Sequence, residues 1–318
     1  MDVIVNAVVP LFSAILAGFV FVRLGGIDQA GVRTLVGFVF SIAMPALIFR
    51  LMAKTDVAGI NDWPVVAAYA AAQLPLFLGG LVVGGWLFRQ TMAEMTIQAF
   101  GSSFSNGVVL GFPLVLSLYG DSAGAPALLI IMLDIAMFSL ITLLLEIASL
   151  RERSGVRPRT MIMLRGLVFS VGANPLILAS VLGIGFGASS LALPGVVDKT
   201  LAFIGQAGPP AGLFALGATL GQRRVAGQSG PVAAMMLMKL AVHPLLAGLV
   251  IFHLFDLDPM AAGVALLFAA CPVGANVYVF AAQYGAAEET SATAILLSTA
   301  IALFTLSGLI WLLSGDSI

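Results

Sequence analysis

Two stretches of this sequence combine amide side chains with residues that interrupt helices. Residues 105–113 read SNGVVLGFP and residues 271–280 read CPVGANVYVF, each inside an apolar segment. Because glycine and proline disfavour a continuous helix, each stretch predicts a broken helix whose second half begins with unpaired N–H groups. Those groups carry partial positive charge. The two stretches therefore predict a site for an anion, most simply a carboxylate.

Asn106 and Asn276 are the amide side chains of these interruptions. A buried amide must have its donors and its acceptor satisfied. Two roles are open for each asparagine: contact with a substrate carboxylate, or capping of the half-helix that follows. Pro113 and Pro272 are expected to help leave the N–H groups unpaired. The predicted binding residues of the two breaks are Asn106, Gly107, Gly111, Pro113, Pro272, Gly274 and Asn276.

Lys239 lies inside the apolar segment MLMKLAVHPLL, four residues before His243 and on the same helical face. A charge at this depth costs ~2.5–3.5 kcal/mol on insertion scales, so its side chain should face the protein interior. Lys239 is a further predicted binding residue that could balance the charge of an anion, or it could release a proton during transport. The alternatives are a structural ion pair and a side chain that extends to the cytoplasmic surface. His243 is a coupling candidate that could equally be a hydrogen-bonded packing residue.

Asp134 is a carboxylate well inside one apolar segment, and Gln73 is a polar side chain inside another. A carboxylate at this depth can carry a proton or pair with a cation. Asp134, His243 and Gln73 are therefore the candidates for coupling transport to an ion. Carboxylates that could bind sodium are sparse, which favours protons or facilitated diffusion.

The composition is that of an all-α polytopic membrane protein. Of 318 residues, 60% are hydrophobic and only 9% are charged, which is too apolar for a soluble domain. The net charge of −1 gives no sign of nucleic-acid binding. One cysteine and two histidines provide little for a metal site, and Walker, HExxH and GxSxG motifs are absent. We therefore expect no metal, no cofactor and no enzyme activity.

Ten apolar segments have about the 20 residues needed to span a bilayer. They cover residues 3–22, 34–53, 65–88, 97–119, 125–150, 167–186, 200–220, 231–252, 260–284 and 291–313. The first is interpreted as a span and not as a cleaved signal peptide, because no basic residue precedes it. The sixth is the least clear, since Arg165 interrupts its apolar run and residues 160–172 could form an interfacial helix.

Basic residues predict the orientation through the positive-inside rule. With the N-terminus outside, only Arg50, Lys54 and Lys199 fall on the outer side. We therefore predict an inner-membrane protein with both termini outside. The residues on the predicted cytoplasmic side are Arg23, Arg33, Arg89, Arg151, Arg153, Arg157, Arg159, Arg165, Arg223 and Arg224.

The two halves of the chain have related spacing. We predict two repeats of five spans, residues 1–150 and 160–318, joined by a cytoplasmic linker at residues 151–159. An odd number of spans inverts the second repeat, a recurring plan of secondary transporters, and spans four and nine are then the broken pair that should cross. A shift of 165 residues aligns Pro10 with Pro175, Gly18 with Gly183, Pro45 with Pro210, and Tyr119 with Tyr284.

The stretches SNGVVLGFPLVLSLYG and CPVGANVYVFAAQYG, with the lysine and proline of span eight, resemble the auxin efflux carrier family. That family contains plant PIN-type auxin exporters and bacterial permeases associated with malonate, malate and similar acids. The resemblance covers nearly the whole chain and implies a bile acid/sodium symporter-like fold. In that fold a scaffold domain and a transport domain with the crossing helices are both drawn from the two repeats.

Asn106, Pro113 and Pro272 match the family's crossing residues, whereas Gln73 replaces an acidic residue of the plant members. The short linker resembles the bacterial branch. Residues and resemblance together predict a secondary transporter of small organic anions that works by elevator-type alternating access. A membrane sensor that binds an acid without moving it is the alternative, and an intramembrane enzyme is a third. The acid, the coupling ion, the direction of flux and a homodimer are left open.

Overall fold

The computed structural model describes residues 2–54, 63–154, 175–189, 191–222 and 226–315, and all the regular structure of these residues is helical. The predicted all-α class is thus confirmed for this part of the chain. The α-helices are α1 Asp2–Arg23, α2 Gln29–Phe38, α3 Met44–Lys54, α4 Trp63–Val82, α5 Met92–Ser103, α6 Phe112–Tyr119, α7 Gly124–Ser154, α8 Pro175–Ala188, α9 Gly195–Gly205, α10 Gly208–Gly221, α11 Ser229–Leu237, α12 His243–Leu254, α13 Pro259–Ala270, α14 Asn276–Tyr284 and α15 Glu288–Gly315.

Several helical segments have the length and composition of membrane spans. Within the described residues six qualify by both criteria: Gln29–Lys54, Trp63–Leu87, Gly107–Ser149, Gly195–Gly221, Ser229–Leu254 and Glu288–Leu313. Shorter apolar helices lie at Val8–Arg23, Leu178–Ala188 and Pro259–Ala270. The predicted interfacial segment, most of the linker and the first part of predicted span six lie outside the described residues. The count of ten spans therefore stays a prediction.

Three helical segments contain a π-helical turn that ends two residues before a proline. Proline has no N–H group, and its ring clashes with the carbonyl one turn earlier. In each case the wider turn closes with a bond from an N–H to the carbonyl five residues before it, which makes room for the ring. The helix therefore continues through the proline. These turns are Val39–Ala43 before Pro45, Gly107–Gly111 before Pro113, and Met238–Val242 before Pro244.

Close glycine contacts join α1 to α10 and α3 to α8. A Cβ atom on Gly18 would lie 2.0 Å from the backbone oxygen of Phe214, and one on Gly183 would lie 2.9 Å from that of Phe49. Glycine at these positions lets the helices approach closely, which is how helices commonly pack in membranes. Gly18 and Gly183 are 165 residues apart, and so are Phe49 and Phe214.

The aromatic contacts of the same helix pairs follow the same spacing. The rings of Phe21 and Phe214 lie 5.8 Å apart at 55°, and those of Phe49 and Phe186 lie 6.2 Å apart at 56°. Phe21 and Phe186 are again 165 residues apart. The shift that aligns sequence features thus also relates packing contacts of nearly equal geometry.

The two helix interruptions meet at their backbones. Ser105 and Val273 form an antiparallel bridge. The N–H of Asn106 donates to the carbonyl of Pro272 at 2.9 Å, and the N–H of Gly274 donates to that of Phe104 at 3.1 Å. A Cβ atom on Gly274 would lie 2.3 Å from the Phe104 ring, so a glycine is needed for this approach. We call the paired segments, residues 104–106 and 271–274, the crossing.

The first interruption differs in one respect from the prediction. The extended residues lie between the end of α5 at Ser103 and the π turn that starts at Gly107. Pro113 lies beyond that turn, in the first turn of α6. The expectation that Pro113 helps to leave the N–H groups unpaired at the break is therefore wrong, because the π turn before it lets the helix continue through the proline. Pro272 lies within the second break, as expected.

Candidate functional site

Asn106 ends the first break and begins the half-helix that follows. Its carbonyl accepts from the N–H groups of Leu110 at 3.1 Å and Gly111 at 3.0 Å. Its side chain is 4% exposed and makes no capping bond. The amide nitrogen Nδ2 has no hydrogen-bond partner among the described residues. Since an unpaired buried donor costs about 1–3 kcal/mol, this amide is free for a ligand.

A small cavity of ≈ 30 Å³ lies beside the crossing and is lined by Asn106, Gly107, Asp134 and Asn276. This volume holds water but not an organic acid. Gly107 and Asn276 are the first residues of the two second half-helices. Two helix N-terminal ends, each carrying about half a positive charge, therefore border the same cavity. The other wall is apolar: Phe40, Phe104, Val108, Val109, Ile131, Phe138, Leu176 and Ala275, with Ser105.

Asp134 places a carboxylate in the wall of this cavity. It is 3% exposed, and its Oδ1 accepts a hydrogen bond from Gln73 Nε2 at 2.6 Å. The other amide atom, Gln73 Oε1, has no partner within the described part of the chain. The structure thus brings two of the predicted coupling candidates together next to the predicted binding residues. An ionised Asp134 would repel an anion in the cavity, whereas a protonated one would not.

Lys239 and His243 lie elsewhere. Lys239 is fully buried, and its Nζ donates to the carbonyl of Ala269 at 2.6 Å and lies 3.1 Å from His243 Nδ1. The His243 ring packs on the Tyr69 ring at 5.5 Å. We call Lys239, His243 and Tyr69 the lysine cluster. None of the three lines the cavity.

Tyr69 and Ser105 connect the lysine cluster to the crossing, and the sequence analysis missed both. The Tyr69 hydroxyl lies 3.0 Å from Ser105 Oγ, which donates to the carbonyl of Phe268 at 2.6 Å. A signal was present, since Tyr69 precedes Gln73 by four residues and residues four apart share a helix face. A polar pair on one face of an apolar helix indicates a polar interior partner.

The remaining predicted binding residues do not line the cavity. Pro113, Pro272 and Gly274 are buried in the packing of the two breaks. A Cβ atom on Gly111 would lie 3.2 Å from Cys271 Sγ. Gly111 therefore lets the helix that follows the first break lie close to the second break.

A larger cavity of ≈ 510 Å³, which we call the vestibule, lies between α2, α10 and α14. Gln29 and Arg33 line it from the start of α2 and Gln222 from just beyond α10, on the side that the basic residues predict to be cytoplasmic. Phe40, Val109, Ala275 and Asn276 line both the vestibule and the small cavity. The vestibule therefore reaches the crossing next to Asn276.

Comparison of the sequence with known protein families identifies the family of this chain. The model of the family described as "Membrane transport protein" matches residues 3–310. The chain belongs to this family. It is a multi-pass membrane transporter of the auxin efflux carrier type, and the family consists of transporters and not of enzymes.

Individual relatives agree with this assignment. A Rhizobium meliloti (strain 1021) protein named "Putative malonate transporter" is 27% identical over 100% of this chain and 98% of its own length. An "Uncharacterized transporter" of Methanothermobacter thermautotrophicus is 24% identical over 95% of each chain. A rice protein (Oryza sativa subsp. japonica) named "Probable auxin efflux carrier component 5a" is 23% identical over 96% of this chain and 95% of its own.

Proposed function

We propose that this transporter is a secondary carrier of small organic anions, with carboxylates such as malonate, malate or auxin-like acids as substrates. The observation that carries the proposal is the unpaired amide of Asn106 in a buried cavity bordered by two helix N-terminal ends. Donors and partial positive charge that converge at a crossing suit a carboxylate. The names of the relatives, a malonate transporter and an auxin efflux carrier, point to the same class of substrate.

The architecture that we propose is an inverted repeat of five plus five spans, with repeats at residues 1–150 and 160–318 and a linker at 151–159. The matched glycine and phenylalanine contacts at a spacing of 165 residues support it. The antiparallel pairing of the two breaks is what two inverted, broken helices would form. The basic-residue bias supports an inner-membrane location with both termini outside.

The proposed transport mechanism is elevator-type alternating access. Helices α1, α3, α8 and α10, which pack in two matched pairs, would form the scaffold, and the body that contains the crossing would move against it. The vestibule of ≈ 510 Å³ on the predicted cytoplasmic side, next to a cavity of only ≈ 30 Å³, supports an inward-facing state whose binding site is too small to hold the acid. Phe40 lies on the scaffold side where the two cavities meet and would act as the gate between them.

Asp134, with Gln73, is the proposed coupling site. Because an ionised Asp134 would repel the substrate carboxylate, a proton and the acid would bind together. A proton gradient would then drive accumulation of the acid, with the acid following protons across the membrane. Lys239 and His243 do not line the cavity, so we assign them no contact with the substrate.

Counterflow of radiolabelled malonate into proteoliposomes tests this function. We expect uptake of the label that depends on unlabelled malonate inside the vesicles. Adding malate or an indole carboxylate outside shows, by how strongly each reduces this uptake, which type of acid the protein prefers. Asn106→Ala should weaken competition, while Asn276→Ala tests the second helix end. An acid that shifts the melting temperature but shows no counterflow would favour the sensor over the carrier. No binding and no flux for any acid of this panel would contradict the anion proposal.

A further inference from the structure

The C-terminal end of α13 faces the second break and carries partial negative charge, because carbonyls of the last helical turn lack the usual bond from an N–H four residues later. Two carbonyls of this turn receive side-chain donors from other parts of the chain, and that of Phe268 also accepts the N–H of Cys271 at 3.2 Å. Ser105 Oγ donates to Phe268, and Lys239 Nζ donates to Ala269, each at 2.6 Å. A buried ammonium group therefore caps the end of a half-helix at the crossing.

Lys239 is fully buried, and no carboxylate of the described residues lies close enough to form an ion pair with it. The carboxylate of Asp134 accepts a hydrogen bond from Gln73 and none from Lys239. A buried charge without a counter-ion needs strong compensation. Here the compensating contacts are the carbonyl at the negative end of a helix and one ring nitrogen.

His243 orients the ammonium group. An ammonium has three donors and no acceptor, so with Lys239 charged His243 Nδ1, 3.1 Å away, would accept and the ring proton would be on Nε2. The ring is held from the other side by Tyr69 at 5.5 Å. Tyr69 in turn contacts Ser105, which donates to the neighbouring carbonyl of the same helix end. The lysine cluster thus fixes a positive charge against both the helix end and the first break.

In carriers with broken helices, unwound carbonyls and half-helix C-terminal ends are where a coupling Na⁺ is coordinated. We infer that the ammonium of Lys239 permanently takes this place and acts as a tethered cation that holds the crossing together. The protein then needs no sodium for stability, and, if the proposed carrier function holds, none for transport. Lys239 is a positioning residue, and it neither touches the substrate nor carries a proton across the membrane.

Removal of the tether should create a demand for a free cation. Lys239→Ala leaves the Ala269 carbonyl without its donor and opens space beside it, and we expect the melting temperature in detergent to fall by on the order of 5 °C or more. Millimolar methylammonium or Na⁺ should restore part of this loss, and choline should not because of its size. Lys239→Arg keeps the charge and should lose less.

Lys199→Ala is the matched control, since Lys199 is an exposed lysine at the predicted outer surface. Its melting temperature should match that of the wild type and should not respond to methylammonium. Equal stability of Lys239→Ala and the wild type, or a loss that no cation of this set reverses, would overturn the tethered-cation role.

The wild type supplies a second test that does not depend on the folding of a variant. Its melting temperature in sodium, potassium and choline chloride should be the same within error, and it should not bind radioactive sodium. Sodium binding would overturn the inference. These measurements need no transported acid, so they decide about Lys239 even if counterflow fails. Where counterflow works, replacing sodium by choline should leave its rate unchanged.

Discussion

The small cavity and the lysine cluster are both buried, but the hydrogen bonding of their polar groups differs. In the cavity, Asn106 Nδ2 and the neighbouring Gln73 Oε1 have no partner among the described residues. In the lysine cluster, the ammonium of Lys239 and the hydroxyl of Tyr69 are both hydrogen-bonded, and only His243 Nε2 lacks a partner. Burial makes an unpaired group costly. The difference indicates that one side of the crossing is built for a ligand and the other for stability.

Asp134 gives the largest expected effect on the cavity side. If a proton must bind with the acid, affinity should fall about tenfold per pH unit wherever the free protein has Asp134 ionised. Asp134→Asn keeps the acceptor for Gln73 and removes the charge. We expect its affinity to be independent of pH and equal to that of the wild type at low pH, with counterflow retained and accumulation driven by a pH gradient abolished.

Binding measured from pH 5 to 8, by competition against radiolabelled malonate, checks this expectation. Glu94→Gln is the matched control, since Glu94 lies in the capping box at the start of α5, far along the helix from the crossing. A pH dependence that survives unchanged in Asp134→Asn would place the coupling proton on another group.

Asn106 should show the next largest effect. A hydrogen bond to a charged group contributes ~1.5–3 kcal/mol, so Asn106→Ala should weaken binding of the acid roughly 10- to 150-fold. The melting temperature without ligand should not fall, because the amide nitrogen has no partner to lose. Isothermal titration and thermal unfolding of the same preparation measure both quantities. Full affinity in a folded variant would rule out direct contact.

The sequence predicted the elements that depend on local chemistry. Both helix interruptions follow from residues such as Gly107 and Pro272, whose effects act within one turn of the chain. Asn106 could be chosen because an amide inside an apolar segment is costly anywhere in a membrane. The role predicted for Pro113 was wrong because proline has two local outcomes, a break or a π turn, and the residue type alone does not decide between them.

Partners that join distant helices could not be predicted in the same way. Asp134 meets Gln73 and Lys239 meets Ala269 only because α4, α7, α11 and α13 pack together, and no spacing along the chain encodes such contacts. The vestibule likewise depends on how α2, α10 and α14 are arranged. Most residues of the site could therefore be identified from their chemical type and their place in an apolar segment. Which of them line the cavity and which belong to the lysine cluster could be learned only from the structure.

Ser105 tests the stability side of the crossing with a smaller change. Its hydroxyl is paired with Tyr69 and with the carbonyl of Phe268. Ser105→Ala removes both bonds and should cost about 1 kcal/mol or somewhat more, which lowers the melting temperature by roughly 2–4 °C. Affinity for the acid should change less than in Asn106→Ala. The opposite pattern, intact stability with a large loss of affinity, would assign Ser105 to the binding site.

Phe40 gives the smallest expected effect, since it touches the boundary of the cavity and none of its polar groups. It lies in the π turn Val39–Ala43 and lines both the vestibule and the small cavity. Phe40→Ala should widen the passage and raise counterflow of bulky acids by a few-fold relative to malonate. Phe38→Ala is the matched control, because Phe38 ends α2 only two residues earlier and is exposed. Equal acid selectivity in both variants would show that the route to Asn106 does not pass Phe40. A shift in selectivity confined to Phe40→Ala would identify the vestibule as the path by which the acid reaches the crossing.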